Sequence, residues 1–168
     1  MYGRKFPSKK LRLLQGKLKT QAQNGFYYDT TDSQLCKALV GNMAYDTVVT
    51  FNTYEPLSEE FTATLIGLFE KRLNERLNCK LEWAHFYEIT NGNAHSHSFV
   101  EYKKYGIQKQ QFNRAARNIW AKLTQKQLAQ HKARYGRDTA KIWIDEKRER
   151  SQPAEGYGTK GGKLLQTF

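Results

Sequence analysis

Residues 46–54, DTVVTFNTY, are dominated by β-branched and aromatic side chains and show no helical period. That pattern predicts a strand, and Pro56 stops it. The period then lengthens. Ser58 is followed by Glu59 and Glu60, a hydroxyl cap with acid in the first turn, where the helix dipole favours it. Phe61, Leu65, Leu68, Phe69 and Leu73 recur at helical spacing, so a helix is expected from Ser58 to Leu77 with these residues as its apolar stripe. Two strand-like runs, LEWAHFYEIT (81–90) and AHSHSFVEYK (94–103), flank the turn signal Asn91-Gly92-Asn93 and read as a hairpin. A long helix is expected over about 109–133. Phe112, Ala116, Ile119, Trp120 and Leu123 face inward, Arg114, Arg117, Lys122 and Lys126 outward, and Tyr135-Gly136 ends it. AKIWIDEK (140–147) is a further strand.

The order strand, helix, two strands, helix, strand is that of an α+β fold. It predicts a central antiparallel sheet of about five strands with helices packed on one face. The chain of 168 residues is the size of one domain with tails. Residues 1–45 divide off as a basic N-terminal arm and a short helix, capped at Asp32 or Ser33 and ended by Gly41; residues 46–168 form the folded domain.

Charge narrows the partners. Lys and Arg number 28 against 16 Asp and Glu, leaving a formal charge of +12. A small domain so basic is expected to meet a polyanion, nucleic acid before an anionic membrane. Arg4, Lys5, Lys9, Lys10 and Arg12 lie in a stretch, 1–24, that holds no acidic residue, and such an arm lies on phosphates. Thr50 and Asn52 on the first strand, and Arg114 and Arg117 on the long helix, are the other expected nucleic-acid contacts. Two cysteines, Cys36 and Cys79, make no disulfide framework and fit a reduced, cytoplasmic setting. No apolar run approaches the ~20 residues of a membrane span, and the first residues lack the apolar run of a secretion signal.

The sharpest chemical feature is His95-Ser96-His97. Two residues apart on a strand, both imidazoles share one face and both can reach one metal ion. Glu88, on the partner strand of the hairpin, adds a carboxylate. Two nitrogens and an oxygen suit Mn²⁺, and Mg²⁺ less well. His85 has the opposite parity to Glu88, shares a face with Trp83, Tyr87 and Ile89, and reads as a packed histidine. Cys79, His85, His95 and His97 lack zinc-finger spacing, and the Gly162-Lys163 neighbourhood lacks the residues of a phosphate-binding loop. In the tail, Tyr157 is followed three residues on by Lys160. An activated tyrosine is a nucleophile, and an ammonium beside it steadies a phenolate or a phosphate under attack.

These motifs together resemble the HUH endonucleases, specifically the single-tyrosine rolling-circle replication initiators of plasmids and small single-stranded DNA viruses. DTVVTFNTY looks like the family's first motif, FYEITNGNAHSHSFV its acid, glycine turn and His-x-His, and GYGTK its Tyr-x-x-Lys. The resemblance covers about residues 46–163. It departs from the pattern at Ser96, where the family has a bulky apolar residue, and at the glycines around Tyr157, which disfavour the family's helix there. It implies a ferredoxin-like nuclease fold and a divalent cation held by Glu88, His95 and His97. It further implies attack by Tyr157 on a DNA phosphate with a covalent 5′-phosphotyrosine intermediate, Lys160 steadying the charge. The expected substrate is single-stranded DNA, with an origin hairpin as target. The expected setting is the cytoplasm of a bacterial or archaeal host, where a host helicase would do the unwinding. A single-tyrosine transposase of the same chemistry, and a non-catalytic nucleic-acid-binding module, are the alternatives.

Overall fold

The computed structural model describes residues 44–53, 57–90, 92–126, 129, 132–133, 142–147 and 163–165. The basic arm with Arg4, Lys5, Lys9, Lys10 and Arg12, the short helix, Tyr135, Tyr157 and Lys160 lie outside them. Chain order is β1 (Thr47–Asn52), α1 (Glu59–Leu77), β2 (Trp83–Thr90), β3 (Asn93–Val100), a 3-10 turn (Lys103–Tyr105), α2 (Lys109–Leu123), β4 (Ile142–Glu146) and β5 (Lys163–Leu165). The five strands form one antiparallel sheet in the order β4-β1-β3-β2-β5. Each pair being antiparallel, β1 runs parallel to β2 with β3 between them, and β3 runs parallel to β4 with β1 between them. Two split βαβ units therefore interlock, the ferredoxin-like arrangement of an α+β sandwich. The tail adds β5 beside β2, a strand of three residues too short to leave a periodic signal.

Both helices cover one face of the sheet. Phe51 of β1 meets Phe69 of α1 at 4.8 Å and Trp120 of α2 at 4.9 Å, edge to face. Tyr102 stacks on Phe112 at 4.1 Å. The Ser58 hydroxyl accepts from the Phe61 amide at 3.1 Å and starts α1 as expected; Asn78, left-handed at φ 50°, ends it. The buried face of α1 is centred on Thr62, Leu65, Ile66, Phe69 and Leu73. At 100° per residue, Phe61 and Leu68 fall on its flank, so Phe61 is half exposed rather than part of the core. α2 is interrupted after Leu123 by a turn at Thr124, whose buried hydroxyl bonds back to the Trp120 carbonyl at 2.7 Å; residues 125–126, 129 and 132–133 are helical again, inside the expected span.

Asp46 ties three elements at the start of β1. Its carboxylate accepts from the backbone amides of Tyr102 and Lys103 at 3.0 and 2.9 Å and from the Thr47 hydroxyl at 2.7 Å; its carbonyl accepts from Lys147 beyond β4 at 2.8 Å. Tyr102, beside this corner, and Tyr87, whose hydroxyl donates to the Leu57 carbonyl at 2.7 Å, are buried. Burial holds both phenols above their ordinary pKa of 10.0, and the Glu59 charge adds to the shift of Tyr87. The fold favours the neutral phenol, so this stability is complete below the unfolded pKa and is lost as pH rises through the folded one. The melting temperature is expected to stay level from about pH 7 to 9 and fall above about pH 10. Tyr102→Phe should lessen that alkaline fall in a pH series of thermal melts.

Candidate cation and phosphate site

The sheet face away from the helices carries the His-x-His strand. β3 alternates so that Ser96 and Ser98 point into the helix layer while His95 and His97 point out of it. Ser96 is opposite Phe51 on β1 and Tyr87 on β2; His97 is opposite Thr50 and Phe86; His95 is opposite Asn52 and Glu88. Glu88, His95, His97, Thr50 and Asn52 therefore share one end of one face.

The turn sets this registry. Gly92, at φ 79°, occupies a position that favours glycine, and Thr90 pairs with Asn93, so only residues 91 and 92 lie between the strands. That two-residue connection puts Glu88 opposite His95. A turn spanning Asn91, Gly92 and Asn93 would have put it opposite Ser96, whose side chain is on the other face.

Glu88 Oε2 stands 3.0 Å from His97 Nε2, a diagonal reach of one strand step, with both side chains about nine-tenths buried. The other ring nitrogen of His97 lies 3.4 Å from the Thr50 hydroxyl. His95 is held differently. Its Nδ1 is 3.1 Å from the Asn93 carbonyl, which can only accept, so Nδ1 is the donor and the neutral ring's lone pair is on Nε2. The two imidazoles lie nearly parallel, 6° apart in plane, with centroids separated by 6.4 Å.

Two neutral imidazoles and a carboxylate are the donor set of a mixed nitrogen and oxygen cation site. Two ligands at ~2.1 Å from one ion and at a right angle stand about 3.0 Å apart, the separation that Glu88 and His97 show. His95 is further out. Among the described residues no three His, Cys, Asp or Glu side chains stand already gathered around one point. The residues thus fit a divalent ion in kind, with Glu88 and His97 already spaced for it and His95 Nε2 on the same face.

His85 is a packed histidine, as its parity predicts. It stacks on Trp83 at 5.1 Å, with Ser98 Oγ 2.6 Å from Nδ1 and Glu70 Oε1 2.5 Å from Nε2. Ser98 bonds Ser96 at 3.0 Å. A chain Glu70–His85–Ser98–Ser96 thus runs beneath the His pair on the helix side, satisfying hydroxyls that the alternation of β3 forces into the core. Nε2–H donating to Glu70 leaves Nδ1 to accept from Ser98, which accepts from Ser96, and every group is used.

The remaining expected contacts separate. Thr50 and Asn52 are on the site's face. Arg114 and Arg117 are on α2, in the layer on the far side of the sheet, where Arg117 reaches the Ile142 carbonyl at 3.4 Å. A strand of DNA lying on the His face does not meet them there. The face also presents a residue the sequence reading passed over, Trp143 of β4, which is opposite Thr50 and 42% exposed. Its signal was the alternation of Ile142, Trp143, Ile144 and Asp145. No helix among the described residues is long and apolar enough to cross a membrane. Compared with family models, curated proteins and solved structures, the chain matches none.

Proposed function

We propose that this protein nicks and rejoins single-stranded DNA through a tyrosine, in the manner of the HUH endonucleases that start rolling-circle replication. The observation that carries the reading is the Glu88–His97 contact on the sheet face away from the helices with His95 beside it, in a ferredoxin-like sheet of a chain with formal charge +12. A divalent cation bound by Glu88, His95 and His97 would supply Lewis-acid polarisation of a phosphate.

The residues have distinct tasks in this reading. The Asn93 carbonyl fixes the tautomer of His95, and Thr50 with Glu88 fixes the ring of His97. Tyr157 attacks phosphorus in line: a bond forms from its hydroxyl oxygen to phosphorus, the bond to the 3′ oxygen breaks, and the phenol's proton ends on the released 3′ hydroxyl. Lys160 balances the charge on the phosphate or the phenolate. The phosphotyrosine bond retains the phosphodiester's energy, so rejoining needs no nucleotide. The placement of β5 supports this assignment. Lys163 pairs with Tyr87, next to Glu88. Tyr157 precedes it by six residues, which limits the two Cα atoms to about 20 Å apart.

Labelled single-stranded oligonucleotides, with and without hairpins, incubated with the protein and Mn²⁺ and run on a denaturing gel, test the reading. A covalent adduct that requires the ion and disappears in Tyr157→Phe is the expected result. An adduct that persists moves the nucleophile to another tyrosine, Tyr135 first. Tight binding with no adduct and no cleavage on any DNA overturns the enzyme in favour of a binding module.

A further inference from the structure

Four large apolar side chains are exposed among the described residues: Phe61, Ile89, Tyr105 and Trp143. Phe61 lies on α1, Tyr105 in the 3-10 turn, and Ile89 has the parity of the helix face. Trp143 alone of the four is on the face of the His pair. Cross-strand registry puts it in a row: Trp143 is opposite Thr50, and Thr50 is opposite His97. Two strand spacings separate its backbone from that of His97, roughly 9.5 Å.

The setting suits a planar ligand. Among the described residues β4 is an edge strand, with β1 on one side and no strand on the other. The indole there keeps 42% of the residue's surface exposed. Single-stranded nucleic acid is held by flat aromatic side chains on which bases stack, whatever their sequence. Asp145, next along the same face, is opposite Val48, one step further from the Glu88 end. A phosphate avoiding that carboxylate is steered toward Asn52 and His95, and the base attached to it toward the indole.

We propose that Trp143 is the stacking platform for a base of the single strand whose phosphate enters the Glu88–His95–His97 site. The proposal rests on the single-stranded DNA reading and adds the residue that sets the strand's path across the sheet. It identifies the partner by its chemistry: unpaired bases with free π faces, joined by phosphates.

The indoles themselves report on it. Trp83 and Trp120 are 6% and 1% exposed, so a base that stacks on a tryptophan must use Trp143. The probe is an oligothymidylate added to the full-length protein at low salt, read in parallel by tryptophan fluorescence and by the anisotropy of a labelled copy. The wild type is expected to bind and to be quenched. Trp143→Phe should bind with the quench gone. Trp143→Ala should bind about 5- to 150-fold more weakly, with a cooperative thermal melt showing that the variant is folded. Binding without quenching in the wild type, or equal quenching in Trp143→Phe, overturns the platform and leaves the single-strand reading standing. Absence of any binding by anisotropy overturns both.

Discussion

His97→Ala is expected to lose at least about a hundredfold of ion-dependent strand cleavage while still binding single-stranded DNA within a few-fold of the wild type. Replacing groups that only support a metal ligand costs 10- to 100-fold. His97 is itself the expected ligand, so its loss belongs at or beyond the upper end. Glu88→Gln is the companion variant. It preserves the size of the side chain and a bond to His97 but removes the charge that a cation needs. Two measurements separate chemistry from folding. Cleavage rates on one oligonucleotide give the activity. Thermal melts with and without Mn²⁺ give the binding of the ion, since a ligand held only by the folded state raises the melting temperature. The wild type should gain stability from Mn²⁺ and both variants should gain little. Wild-type cleavage in His97→Ala, or an equal Mn²⁺ gain in Glu88→Gln, would remove these residues from the site.

Glu70→Ala and His85→Ala are each expected to cost about 3–5 kcal/mol in urea denaturation. Both side chains are buried between α1 and the sheet and are bonded to each other at 2.5 Å. Removing one leaves the other's polar group in the core without its partner. Glu70→Leu combined with His85→Phe should recover most of the loss. An apolar pair of similar bulk has no desolvation debt, and a phenyl ring can take the imidazole's place against Trp83. Ser98 retains Ser96 as a partner in that double variant. Single variants that cost under about 1 kcal/mol would show that water reaches the pair and that the network contributes little. Losses of this size in the singles would also explain why an ionisable chain lies directly beneath the His strand: it accommodates the two serines that alternate with the histidines.

Much of this architecture follows from local pattern. The β-branched run at 46–54, the Ser58 cap and the apolar spacing of α2 were enough to order the elements. The alternation of β3 put the two histidines on one face and the two serines on the other, because a pleated strand has no third choice. The parity of His85 excluded it from the site for the same reason. Where the pattern was thin the reading missed. Phe61 has helical spacing to Leu65 but sits on the flank of the buried face, and a three-residue strand at Lys163–Leu165 has no period to read.

Contacts between distant segments decided the rest. Whether Glu88 meets the histidines depends on the turn closing with two residues rather than three, a difference of one residue that moves a carboxylate from one face to the other. Thr50 and Asn52 reach the site because β1 pairs with β3, 47 residues away in the Thr50–His97 contact. Arg114 and Arg117 are basic and outward on their helix, yet their helix is on the other side of the sheet, which no helical wheel can show. Trp143 joins the row of His97 only because β4 returns to the far edge of β1. Which residues share a face of each element follows from the local geometry of the backbone and is legible in the order of residues. Which faces meet is settled by packing between distant parts of the chain, since strand registry and order relate segments that local pattern cannot.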